Sequence, residues 1–172
     1  MAPADPKQTR EAMRWEATAG KPTYMRIGRY KIPAVTPEDH SFAMGKADQL
    51  RDGNDVTLIA IGALVSRALA AADLLAAEGI KARVLNMATV KPIDAEAVIA
   101  AAKETGRIVT AEEGILYGGL GSAVAEVTAQ HAPVPMRMLG LPGFAPTGSV
   151  DFLFEHFGLT GAGIAAAARE LL

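Results

Sequence analysis

Beyond Asp55 the chain switches repeatedly between two spacings of apolar residues. "DVTLIAIG" is a β-branched run ending at Gly62 and predicts a buried strand. "ALVSRALAAADLLAAEG" carries apolar residues at helical spacing, with Gly79 at the expected helix end. "IKARVLNM" predicts a second strand. "KPIDAEAVIAAAKETG" then sets Pro92 and Asp94 at a helix start, Lys103 in the last turn and Gly106 at the end. "RIVTAEE", "GGLGSAVAEVTAQHA" and "VPMRMLGL" predict strand, helix and strand. The tail "GSVDFLFEHFGLTGAGIAAAARELL" predicts a short helix, a glycine turn and a final helix. Strands alternating with helices imply an α/β protein with a parallel sheet and right-handed crossovers.

The first fifty residues follow another pattern. "ADPKQTREAMRWEATAG" predicts an amphipathic helix and "PTYMRIG" a strand. "RYKIPAVTPEDH" holds two prolines and no apolar period, and so predicts a linker. "SFAMGKADQLRDG" can supply one or two edge strands. A helix and one strand cannot enclose a core. Residues 1–30 are therefore expected to end a larger unit, with 31–41 as linker and 42–172 as the main domain. The expected architecture is a three-layer sandwich around a mainly parallel sheet of about five strands.

Composition narrows the function classes. A chain of 172 residues, half of them hydrophobic, can bury a sizeable core. The apolar mass is Ala, Val, Leu and Ile, which suits parallel strands closely covered by alanine-rich helices. A formal charge of −2 offers no electrostatic basis for nucleic acid or an anionic membrane as partner. No apolar run reaches membrane-spanning length. The charged N-terminus does not read as a signal peptide, and the absence of cysteines fits a cytoplasmic protein.

The stretch "VTAEEGILYGGLGSAVAEV" raises the question of a nucleotide site, because glycines opening a helix can cradle phosphate. A dinucleotide fingerprint needs a third glycine where Val124 stands and an acid at the end of the next strand, which runs out at Gly140-Leu141-Pro142. A P-loop is excluded by the lack of G-K-[ST]. Gly118, Gly119 and Gly121 are therefore read as a tight turn allowing close helix–sheet approach. Glu112 and Glu113 point to opposite faces of their strand, which favours helix-end electrostatics over paired acid–base catalysis.

Other chemistry-bearing residues are scattered. His40, His131 and His156 have no metal-ligand spacing. Ser66 and Ser122 lack a nucleophile-elbow context, and Ser122 reads as an early helix residue. Trp15 with Met13 is expected to seal a helix face. Arg26 and Arg29, followed by Tyr30 and Lys31, form either an anion clamp or a solvated basic turn; the residues alone favour the turn.

"GKADQLRDGNDVTLIAIGALVSRALAAADLLAAEGIKARVLNMATVKPIDAEAV" resembles the C-terminal domain of transketolases, and "VTAEEGILYGGLGSAVAEV" and "FGLTGAGIAAAARELL" continue the resemblance to the last residue. "APADPKQTREAM" and "GKPTYMRIGRYKIPAV" resemble the last helix and strand of the pyrimidine-binding domain and the linker beyond it. The third domain is shared with 1-deoxyxylulose-5-phosphate synthase and 2-oxo acid dehydrogenase β subunits. The pattern from Gly28 to Pro33 looks more like transketolase. The resemblance implies part of an enzyme that moves a two-carbon ketol unit between sugar phosphates, using thiamine diphosphate and Mg²⁺. No cofactor or metal is expected on this chain: the family's metal motif has no counterpart, and its catalytic glutamate would lie upstream. Arg29 matches the arginine that contacts substrate phosphate. Gly118, Gly119 and Gly121 match a packing or interface loop. The implied partners are an N-terminal pyrophosphate- and pyrimidine-binding portion and a second copy in a homodimer. Gly114 departs from the family, where many relatives have His. A free-standing α/β metabolite-binding module is the alternative from a different class.

Overall fold

The structure is a computed structural model that describes residues 1–172. Its elements run α1 (Pro6–Ala19), β1 (Asp48–Arg51), β2 (Val56–Ala60), α2 (Leu64–Ala76), β3 (Ala82–Asn86), α3 (Ala95–Thr105), β4 (Ile108–Ile115), α4 (Leu120–His131), β5 (Met136–Leu141), α5 (Val150–His156) and α6 (Gly161–Arg169). The five strands lie in the order β1-β3-β2-β4-β5. All neighbours are parallel except β1, which runs antiparallel to β3 at one edge. This is the mainly parallel three-layer α/β sandwich that the strand–helix alternation predicts.

Two cores explain why β2 and β3 carry apolar residues on both faces. Val56, Leu58 and Ala60 pack against α2 and α6, whereas Ile59 and Ile61 turn to the side of α3 and α4. Every residue of both strands is buried, so the alternation seen in one-sided sheets is lost. Leu58, Ile59, Leu64, Leu75 and Ile108 are fully buried, each contributing about 1.5–3 kcal/mol. Small residues bring the layers together: a Cβ on Gly161 would stand 3.1 Å from Ala70 Cβ on α2. The predicted ends of α3 are in place, with the Asp94 side chain accepting the Ala97 N–H and Gly106 left-handed at φ 67°. In α2 the cap is Ala77, and Gly79 takes its positive φ two residues later.

In the first fifty residues, α1 forms as expected. Asp5 caps it, Pro6 opens it, and Gly20 closes it in the left-handed region. The strand expected at "PTYMRIG" does not form; Pro22–Gly28 has no ladder partner. A strand exists only where a second one completes its hydrogen bonds, and local β-propensity cannot supply that. The following segment yields one short edge strand, β1. Met13 is 55 % exposed, so the pair with Trp15 does not seal a face. Residues two apart on a helix point in different directions, and Trp15 alone meets Phe42, edge-on at 6.2 Å. No helix is long and apolar enough to cross a membrane.

Candidate functional site

The order in which strands are added to the sheet reverses between the parallel neighbours β2 and β4, and the crevice beyond their carboxyl ends is where open α/β sheets place ligands. Residues of the N-terminal segment occupy it. Ala2 donates its N–H to Ala88 O at 2.8 Å, just past β3. Ala2 joins the core on the α3/α4 side and Ala4 joins the one on the α2/α6 side. A Cβ on Gly62, just beyond β2, would meet Ala2 Cβ at 3.6 Å. What remains is a cleft of about 60 Å³ between Ala2, Pro3, Arg26, Gly62, Ala63 and Glu113, and a wider one of about 350 Å³ between Ala2, Arg26, Ile61, Glu112 and Gly119.

The glycine loop sits on the β4 side of this crevice. Helix α4 begins at Gly119, which has no side chain to cap the exposed N–H groups. Glu112 supplies the missing acceptor: its Oε2 receives the Leu120 N–H and its Oε1 the Gly121 N–H, each at 2.9 Å. The carboxylate is buried and stands at the positive end of the helix. Gly118 N–H donates to Ser122 Oγ, whose hydroxyl donates to Leu116 O, each at 2.9 Å. Gly118 alone of the three has a positive φ, 75°. A Cβ on Gly121 would lie 2.8 Å from Met138 Sδ and 2.9 Å from Thr110 Oγ1, so its lack of a side chain lets α4 close onto β4 and β5. These residues do not fit a pyrophosphate, because a protein carboxylate already holds the donors a phosphate would need. No group of three or more His, Cys, Asp or Glu residues has the geometry to hold a metal ion.

Glu113, one residue on, faces the opposite side. Its carboxylate accepts the Tyr30 hydroxyl and its carbonyl accepts Arg26 Nη1. Tyr30 packs edge-on against Phe154 at 5.9 Å, and the Arg67 guanidinium lies 3.8 Å over the Phe154 ring. Burial and the Glu113 hydrogen bond raise the Tyr30 phenol above its ordinary range. Arg29 and Lys31 flank Tyr30 and are exposed. The structure thus separates the two arginines: Arg26 is bound to the end of β4, and Arg29 is presented outward.

The histidines do not converge. His131 and His156 end α4 and α5. His40 lies between two carboxylates, with Nδ1 2.5 Å from Glu11 of α1 and Nε2 2.9 Å from Asp48 of β1. Asp48 also accepts from Gln8 Nε2 and Asn86 Nδ2, so α1, the segment carrying His40, β1 and β3 share one polar network. Sequence patterns do not reveal this network, because its bonded partners lie 8 to 78 positions apart in sequence. The cap by Glu112 did leave a trace: a helix start with no Ser, Thr, Asp or Asn at its cap, preceded closely by an acid.

The family model described as "Transketolase, C-terminal domain" matches residues 45–164. The chain is 45 % identical over 170 residues to the 6-deoxy-6-sulfo-D-fructose transketolase subunit of Clostridium sp., covering 98 % of this chain and 53 % of the relative. It is 42 % identical over 172 residues to an apulose-4-phosphate transketolase subunit of Phocaeicola vulgatus, covering 99 % and 55 %. It is also 42 % identical over 175 residues to the 1-deoxy-D-xylulose-5-phosphate synthase of Heliobacterium modesticaldum, covering 99 % and 27 %. A solved structure described as "Split gene transketolase, inactive beta4 tetramer" superposes with a TM-score of 0.96 at 42 % identity, covering 99 % of this chain and 56 % of that one. The chain therefore spans about half the length of its transketolase-subunit relatives. With the domain match, the sheet order and the overall superposition in agreement, the chain belongs to the transketolase C-terminal domain family.

Proposed function

We propose that this chain is the C-terminal portion of a thiamine-diphosphate-dependent transketolase that moves a two-carbon ketol unit between sugar phosphates. Residues 1–30 close a pyrimidine-binding domain, 31–41 are the linker, and 42–172 form the third domain. In this reading the chain holds neither thiamine diphosphate nor Mg²⁺; both sit in an N-terminal portion and at its contact with a second copy in a homodimer. The observation that carries the reading is the near-complete superposition on a split-gene transketolase chain of which this one spans 56 %. The glycine loop supports it, since Glu112 occupies the anion-binding position there.

Arg29 is the residue we assign to the substrate, as a contact for its phosphate. An exposed guanidinium fork suits that chemistry. Gly118, Gly119 and Gly121 serve packing and subunit contact. The test is ketol transfer from a ketose phosphate to an aldose phosphate with added thiamine diphosphate and Mg²⁺. This chain alone is expected to give no turnover, and the N-terminal portion is expected to restore it. Turnover by the chain alone would refute the proposal.

The 42 % identity to a 1-deoxy-D-xylulose-5-phosphate synthase supports a second reading, in which the third domain serves that reaction. Pyruvate as donor separates the two: the assembled enzyme is expected to prefer a ketose phosphate.

A further inference from the structure

We infer that Glu113 is a positioning residue for Arg29, acting through Tyr30 and Arg26; the inference rests on the phosphate-contact role proposed above for Arg29. Glu113 holds the chain on both sides of that arginine. Its carbonyl accepts Arg26 Nη1, three residues before Arg29, and its carboxylate accepts the Tyr30 hydroxyl, one residue after. The Tyr30 ring is braced in turn by Phe154 at 5.9 Å, under the Arg67 guanidinium.

Apart from these anchors the segment is tied only upstream of Arg29, where the Arg26 N–H donates to Met1 O at 2.9 Å and the Met1 amine donates to Tyr24 O at 2.7 Å. Pro22–Gly28 belongs to no sheet, and Arg29–Pro33 to no helix or strand. Two side chains docked on one residue of β4 define where residues 27 to 29 can run. An arginine whose backbone is already placed loses less freedom when its fork closes on a phosphate, so its grip is tighter. Glu113 is thus a rigid post at the carboxyl end of β4, and Arg29 is held from it without touching it.

The test uses the assembled enzyme with glyceraldehyde 3-phosphate and with unphosphorylated glyceraldehyde as acceptors. Tyr30→Phe and Glu113→Gln are expected to raise KM for the phosphorylated acceptor by about 3- to 10-fold, with kcat and the unphosphorylated acceptor unchanged. The double variant is expected to be no worse than Tyr30→Phe alone, because Tyr30→Phe removes the hydrogen bond that Glu113→Gln only weakens by taking the charge off its acceptor. In this chain alone, exchange of the Arg26 amide, which is bonded to Met1 O, is expected to speed up in both variants, and exchange in β2 is not. If Arg29→Ala leaves the phosphate preference intact, the assignment of Arg29 falls and the inference falls with it. If Arg29→Ala abolishes the preference while Tyr30→Phe and Glu113→Gln behave as the parent, Arg29 stands and Glu113 is overturned alone. Equal losses on both acceptors, or unchanged exchange, would reduce Glu113 to packing. Tyr30→Phe removes only a hydroxyl, so it carries the test if Glu113→Gln fails to fold.

Discussion

A Cβ on Gly119 would stand 2.6 Å from the carboxyl carbon of Glu112, so the residue at the start of α4 is bare because the carboxylate fills its place. The two positions form one device: a helix cap built from a strand side chain seven residues upstream. Glu112→Ala leaves two buried N–H groups without an acceptor and is expected to destabilise the domain by about 1–3 kcal/mol per group. Denaturant unfolding measures this. Sulfate is expected to stabilise the Glu112→Ala variant more than the parent, since the vacated helix start can bind an anion. Equal stability of variant and parent would refute the capping role.

Gly121 tests the closeness of helix and sheet. Gly121→Ala drives a methyl against Met138 and the buried Thr110 hydroxyl, at an expected cost of about 1–3 kcal/mol. Adding Met138→Ala removes the nearer contact and is expected to recover part of that loss, measured by Tm. No recovery would place the strain on Thr110 alone.

His40 makes stability depend on pH. Burial pulls its pKa down, but hydrogen bonds and charge from Glu11 and Asp48 outweigh this and hold it above the ordinary 6.5. A folded value above the unfolded one means that the stabilisation is fully present below about pH 6.5 and is lost as pH rises through the folded pKa. Lys7, 3.6 Å from Glu11, competes for that carboxylate. The parent is expected to lose its advantage over His40→Ala across that window, read from paired unfolding curves. A constant difference between pH 6 and 9 would contradict the bridge.

Local pattern carries much of this fold and little of its long-range wiring. β2, β3 and the first half of β4 are readable because burial on both faces selects mostly apolar residues, with Thr57, Arg83, Asn86 and Thr110 among them, and α3 is readable because Asp94 and Gly106 act within their own helix ends. Pro22–Gly28 has the composition of a strand, yet a strand is decided by its neighbour. Tyr30 and Glu113 are 83 positions apart, and no spacing rule connects them. The opposite facing of Glu112 and Glu113 follows from strand geometry alone, whereas what each one touches does not.

Asp5 supports a prediction of the opposite sign. Burial pushes its carboxyl up, but N–H groups of Gln8, Thr36 and Val35 hold it below the ordinary 3.8. Its stabilisation is present above that value and is lost as pH falls through the lowered folded pKa. Asp5→Ala removes the α1 cap and the tether to Val35 and Thr36 together. The expected loss is at least about 1 kcal/mol, with faster proteolysis between residues 31 and 41. An unchanged cleavage rate there would show that this segment is held elsewhere.

Ala2 and its neighbours have a consequence for engineering. The end of the sheet that other α/β proteins offer to nucleotides is here a socket for the chain's own leading residues. A small-molecule sensor that used the whole crevice would have to evict Ala2 and Pro3, and eviction would loosen both hydrophobic layers, since Ala2 and Ala4 belong to different ones. Occupancy of the socket and cohesion of the domain are a single variable, so a force that displaces Ala2 acts on both layers of the fold at once.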